Sequence, residues 1–143
     1  MKKYIEKISI SADEFGYKNP QQIHHLVALG RSIPEADVFR SLFAFFYDPA
    51  LQTNGKVRQE LAGKLLLDLN PKCPLDLEQI VQSIPRVWNV TVEELPWYVC
   101  NAFGAGQVEL FLQAVIETSE NIHFRGAYET FLFWVQAYEK STV

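Results

Sequence analysis

Gln107-Val108-Glu109-Leu110-Phe111-Leu112-Gln113-Ala114-Val115-Ile116-Glu117-Thr118 is the stretch on which the fold reading turns. Val108, Phe111, Leu112 and Val115 recur at i, i+3, i+4 and i+7, while Glu109, Gln113 and Glu117 run down the other face. That is the period of an α-helix with one side turned to a core. The same period continues downstream over residues 127–140. There Tyr128, Phe131, Leu132, Val135 and Tyr138 make one stripe. Phe133, Trp134 and Ala137 make a second, so this helix is either sandwiched or docks a partner.

Upstream, Thr91-Val92-Glu93-Glu94 has the spacing of a capping box. Pro96 fits poorly inside a continuing helix, so one turn over 92–95 and a helix restarting at Pro96 and ending at Gly104 are expected. Residues 74–84 carry Leu77, Ile80, Val81 and Ile84 and read as a short helix that Pro85 breaks. Asn54-Gly55 marks a turn before a helix over 56–69. Its inward stripe is Val57, Leu61, Leu65 and Leu69, and Asn70-Pro71 stops it. Ile33-Pro34 opens another helix, with Glu35 and Asp37 in the first turn where they complement the dipole. Val38, Phe39, Leu42, Phe43, Phe45, Phe46 and Tyr47 cover nearly all its circumference before Asp48-Pro49 ends it, the pattern of a centrally buried helix. Asn19-Pro20 is a capping residue followed by Pro at the first helical position, and Gly30 suits a left-handed stop. The first ten residues fit a helix through Tyr4, Ile5 and Ile8, or a strand through Tyr4, Glu6, Ile8 and Ile10; helix is the favoured reading.

The expectation is an all-α fold of about seven helices, packed as an irregular bundle or a short array of stacked hairpins. At 143 residues, with no linker, repeat or low-complexity segment, one domain over 1–143 is the economical organisation. Aromatics make up 13% of the chain, which favours a dense core or an aromatic interface. No apolar run approaches the roughly 20 residues of a membrane span. Glu6 and Lys7 break the segment after Met1-Lys2-Lys3, so no signal peptide is read and a cytoplasmic location is expected. Cys73 and Cys100 form no CxxC pair and suit a reducing compartment.

The charge is uneven. Residues 1–73 hold ten Lys/Arg against eight Asp/Glu, and residues 74–143 hold three against nine. Residues 87–124 contain no Lys or Arg, while Glu93, Glu94, Glu109, Glu117 and Glu120 all fall there. Such a half repels phosphates, which excludes nucleic-acid binding by it and suits a basic protein partner.

Catalytic signatures are missing. Gly104-Ala105-Gly106 lacks the rest of a phosphate loop, and no HExxH or GxSxG occurs. His24 and His25 diverge by about 100° on a helix and cannot chelate one metal from one face. Glu93 and Glu94 read as capping carboxylates before they read as an acid–base pair. Cys100 sits among acidic and apolar neighbours that raise a thiol's pKa. No enzyme activity, metal or cofactor is expected. The residues suited to contact a partner are Asp48, Glu93, Glu94, Trp97, Tyr98, Glu109, Glu117 and Glu120, aromatic anchors beside charge.

The stretch Arg86-Val87-Trp88-Asn89-Val90-Thr91-Val92-Glu93-Glu94-Leu95-Pro96-Trp97-Tyr98 resembles a Trp-x-aliphatic-Ser/Thr-Val-Glu-Glu-Leu-Pro-aromatic-aromatic pattern of small acidic all-helical immunity proteins. These belong to bacterial contact-dependent growth inhibition systems. The match covers these thirteen residues; the length, the acidity and the Phe-rich segment 39–47 are also similar. The resemblance implies a protein that binds and neutralises the toxin domain of a cognate effector, often a basic nuclease, by occluding its active site; a monomer before binding is expected, with the oligomeric state left open. It carries over no contact residues. The rival expectation is a helical adaptor or regulatory subunit docking through Phe133, Trp134 and Ala137. A third is an enzyme that gathers His24 or His25 with Asp48 or Glu94 in a pocket.

Overall fold

In the computed structural model, which describes residues 1–141, the chain forms eight α-helices and one 3-10 turn. The helices are α1 (Lys2–Phe15), α2 (Pro20–Arg31), α3 (Glu35–Ala44), α4 (Gly55–Leu69), α5 (Leu77–Ser83), α6 (Glu94–Phe103), α7 (Ala105–Thr118) and α8 (Ile122–Ser141). The 3-10 turn is Pro49–Leu51. No strand occurs among the described residues, so the all-α expectation holds and the opening segment is helical.

Local chemistry explains most of the boundaries. Asn19 caps α2, its Oδ1 accepting the Gln22 N–H at 3.1 Å, with Pro20 at the first helical position. Asn54 and Asn70 bracket α4 in the left-handed region, at φ 58° and 44°. Asp76 and Gln79 form a reciprocal capping box at the start of α5. No signal for that box was read from the sequence.

Four expectations change. Thr91 does not cap a helix. Its N–H and Oγ1 both go to Asn89 Oδ1, at 3.0 and 2.5 Å, and α6 starts at Glu94 without a side-chain cap. Pro96 does not interrupt α6. It occupies the third position of the first turn, where a helix has no internal partner for an N–H. Gly30 is not a left-handed stop but lies inside α2. A Cβ there would come within 2.7 Å of Leu69 Cδ1 and 2.8 Å of the Tyr4 hydroxyl, so glycine permits a close approach to α1 and α4. Finally, α3 ends at Ala44. Phe45 and Phe46 donate i→i−3 bonds to Leu42 and Phe43, and Asp48 instead caps the 3-10 turn through the Ala50 N–H.

Helix α4 is the hub, packed on α1, α2, α3 and α6. It buries two adjacent stripes, Leu61–Leu65 and Ala62–Leu66, where the sequence suggested one. The second half of the chain is a three-helix unit: α7 lies along α8, and both meet α6. Helices α6 and α7 bend by 112° at Gly104, whose φ is 89°. The core joins all eight helices through side chains from Tyr4 to Val135, with Phe39, Phe45, Phe46, Tyr98 and Phe131 fully enclosed. Gln59, 1% exposed, fastens the loop before α6: its Nε2 donates to Val87 O and its Oε1 accepts the Asn89 N–H at 2.7 Å. Among the described residues no single helix is long and apolar enough to cross a membrane.

Candidate functional site

Two side-chain constellations meet at the N-terminal end of α6, one carboxylate-rich and one aromatic.

The first lies where α6 crosses α4. Gly63 allows the crossing: a Cβ on it would sit 2.7 Å from Glu94 Cβ. The approach brings Glu94 beside Glu60, one turn before Gly63 on α4. Burial, then the charge and hydrogen bond of Glu60, then the charge of Glu93, push the Glu94 carboxyl up to about 8. The two carboxyls therefore resist being charged together, and Glu94 is the one pushed toward its protonated form. Glu93 and Glu94 line a groove of about 430 Å³ with Glu60, Asp68, Lys18, Lys64, Leu67 and Tyr17.

The second constellation is built from indoles. Trp134 donates its ring N–H to Val90 O at 2.8 Å, and its own carbonyl accepts the Trp97 ring N–H at 3.3 Å. Phe133 stands edge-on to Trp134 with ring centroids 5.1 Å apart. Both indoles thus have their polar edge satisfied by backbone. Phe133 is 59% exposed and Val90 38%.

The sequence-predicted contact residues separate into groups. Glu93, Glu94 and Trp97 come together at the start of α6. Tyr98 does not join them: it is 1% exposed, its ring packs near Phe39, and its hydroxyl donates to Pro71 O at 2.6 Å. It is a core residue, because consecutive helical positions diverge by about 100° and Trp97 takes the outward direction. Asp48 is occupied in capping the 3-10 turn. Glu109 is half-buried on α7 and accepts a hydrogen bond from Gln136 Nε2 at 3.3 Å across the α7–α8 seam. Glu117 is exposed in the last turn of α7, about 12 Å along its axis from Glu109, and Glu120 is exposed in the link that follows. Glu60 and Val90 are not among the expected contact residues; Glu60 lies off the inward stripe expected for its helix. Phe133 and Trp134 were read as a possible dock, but not as neighbours of Trp97.

Among the described residues, Arg58–Asp13 at 2.8 Å is the one ion pair, so Glu93, Glu109, Glu117 and Glu120 have no cationic partner there. His24 and His25 are both exposed, and the groove that His24 lines contains neither Asp48 nor Glu94. No group of three His, Cys, Asp or Glu residues is arranged to hold a metal among the described residues. Burial pushes the Cys100 thiol up to about 12 and that of Cys73 upward, away from the thiolate a nucleophile needs.

Comparison with protein-family models, with curated proteins and with solved structures finds no match to this chain.

Proposed function

We propose that this chain is an immunity-type inhibitor that binds a cognate, basic, nuclease-type bacterial toxin domain and occludes its active site. The observation that carries the reading is the uncompensated acidity of the α6–α8 half. Residues 87–124 contain five carboxylates and no Lys or Arg, and none of those five forms an ion pair among the described residues, although Glu93 and Glu94 share a groove with Lys18 and Lys64. A surface of this kind raises the association rate of a basic partner and repels nucleic acid. The resemblance of residues 86–98 to immunity proteins supplies the class of partner. Such a protein acts in the cytoplasm of the toxin's target cell and needs no catalytic group of its own.

The test is to recover the tagged chain from its own host at moderate salt and identify what accompanies it. A stoichiometric basic protein that kills cells lacking this chain, and spares cells that express it, is the expected result. In that complex Glu109→Lys with Glu117→Lys lowers affinity about tenfold or more while leaving the helical spectrum unchanged. A partner without toxicity, or wild-type affinity in the double variant, sinks the reading.

A second reading, a helical adaptor or regulatory subunit, is favoured by one observation: the 59% exposure of Phe133 on α8. It differs in expecting a non-toxic, long-lived partner and self-association of the free chain.

A further inference from the structure

The geometry points to a docking surface at the α6–α8 junction, centred on Phe133 and Trp134 and completed by Val90 and Trp97, that takes an apolar knob ringed by Lys or Arg on a partner protein.

Three properties set this surface apart from the other exposed apolar residues. The first is rigidity. Trp134 is fixed by its bond to Val90 O, Trp97 by its bond to Trp134 O, and Phe133 by its edge-on contact with Trp134. Large rings already held in place lose little rotamer freedom when a partner lands, and that ordering is a principal cost of association. The second is composition. Exposed Phe133 stands among half-buried Trp134 and Trp97, and large aromatics of this kind are the residue type that dominates interface energetics. The third is the rim, which names the occupant. Glu93, the residue just before α6, lies four positions before Trp97, and its carbonyl accepts the Trp97 N–H, so it stands between this patch and the groove that also holds Lys18 and Lys64. Exposed Glu129 lies one turn before Phe133 on α8. Glu109 reaches the same flank from α7 through Gln136, three positions after Phe133. Carboxylates from α7, from α8 and from the residue that precedes α6 thus stand around the aromatic centre. The nearest basic residues on α8, Arg125 and Lys140, lie about two turns from Phe133. A second copy of this chain would bring like charges together, and an anionic membrane or nucleic acid would be repelled. A protein surface with a cationic ring and an apolar centre fits on both counts.

This surface rests on the reading of the chain as a binder of a basic protein, and it adds where that protein sits. The experiment uses a defined probe, a synthetic amphipathic helical peptide with one leucine face flanked by arginines, followed by the protein's tryptophan fluorescence. The peptide is expected to bind the wild-type chain. Phe133→Ala is expected to weaken binding tenfold or more, and Glu93→Lys with Glu129→Lys to do the same. Ile10→Ala, which truncates an equally exposed side chain on α1, is expected to leave binding unchanged. The same peptide with glutamates for arginines is expected not to bind. Equal behaviour of Phe133→Ala and Ile10→Ala overturns the proposal, because acidity alone would then explain the association; failure of the cationic peptide to bind at all overturns it too. The two readings fail separately. A Phe133-dependent site with a non-toxic natural partner keeps the surface and removes the immunity function. Full protection from a toxin by Phe133→Ala keeps that function and removes the surface.

Discussion

Glu94 carries the clearest single-residue consequence. Its folded-state pKa of about 8 lies above the ordinary value of 4.5, so the folded chain binds the more protons between those two values. Stability from this carboxyl is therefore fully present below about pH 4.5 and is lost as the pH rises through 8. The charges that face it are Glu60 and Lys64 on α4, Glu93 beside it and Lys18 on the α1–α2 link, with Asp68 at the groove's end. The urea midpoint is expected to fall between pH 5 and pH 8, and Glu94→Gln, which keeps a neutral donor beside Glu60, is expected to flatten that fall. An unchanged slope in the variant would show that the carboxyl is not the group responsible. None of this was legible in Glu93-Glu94 as a sequence. The doublet looked like a capping feature, and the shift arises from burial against α4 and then from Glu60, 34 positions earlier, an approach admitted by the missing Cβ of Gly63.

Among the elements, α5 has the least to hold it. It has seven residues, buries Ile80 and Val81, and depends on its start: Asp76 Oδ1 accepts the Gln79 N–H at 2.8 Å, and Gln79 Oε1 accepts the Asp76 N–H at 3.0 Å. Asp76→Ala is expected to cost about 1 kcal/mol in chemical denaturation. It should also speed amide exchange in α5 before any other helix, because local opening begins where packing is sparse. Equal exchange in α5 and α4 would contradict this. Element boundaries that rest on one local side chain, such as Asn19-Pro20, were readable in advance. Those decided by competition were not. Thr91 had the spacing of a cap, but Asn89 took both of its donors. Pro96 had the chemistry of a breaker, but it fell in the first turn, where a missing N–H costs nothing.

For the whole molecule, the carboxylates gathered on α6–α8 repel one another while the first half carries a slight positive excess. Moderate salt is expected to raise the urea midpoint at neutral pH, since screening relieves repulsion between exposed like charges. The same salt should weaken association with a cationic partner. A protein whose stability and partner binding both ignored salt would not be using its acidity. The fold class was readable at this scale because apolar spacing of 3.6 recurs in segment after segment. The candidate face was only half readable. Charge lies in the composition, but the meeting of Trp97, Val90 and Trp134 depends on how the α8 seam registers with the loop before α6, over 37 to 44 positions of separation.

The corner between α6 and α7 has a bearing on how chains of this design could diverge. Around Gly104 no other atom lies within 4 Å of where a Cβ would stand, yet φ is 89°, a dihedral that side-chain-bearing residues rarely adopt. Space is free there and the backbone angle is not. A side chain at 104 would be strained by that dihedral alone, and Gly104 also closes α6 through its N–H to Cys100 O and opens α7 by accepting the Val108 N–H. With one residue between α6 and α7 and core-packed Phe103 and Ala105 on either side of it, this corner tolerates a glycine and little else: a change in length here would shift one helix against the other.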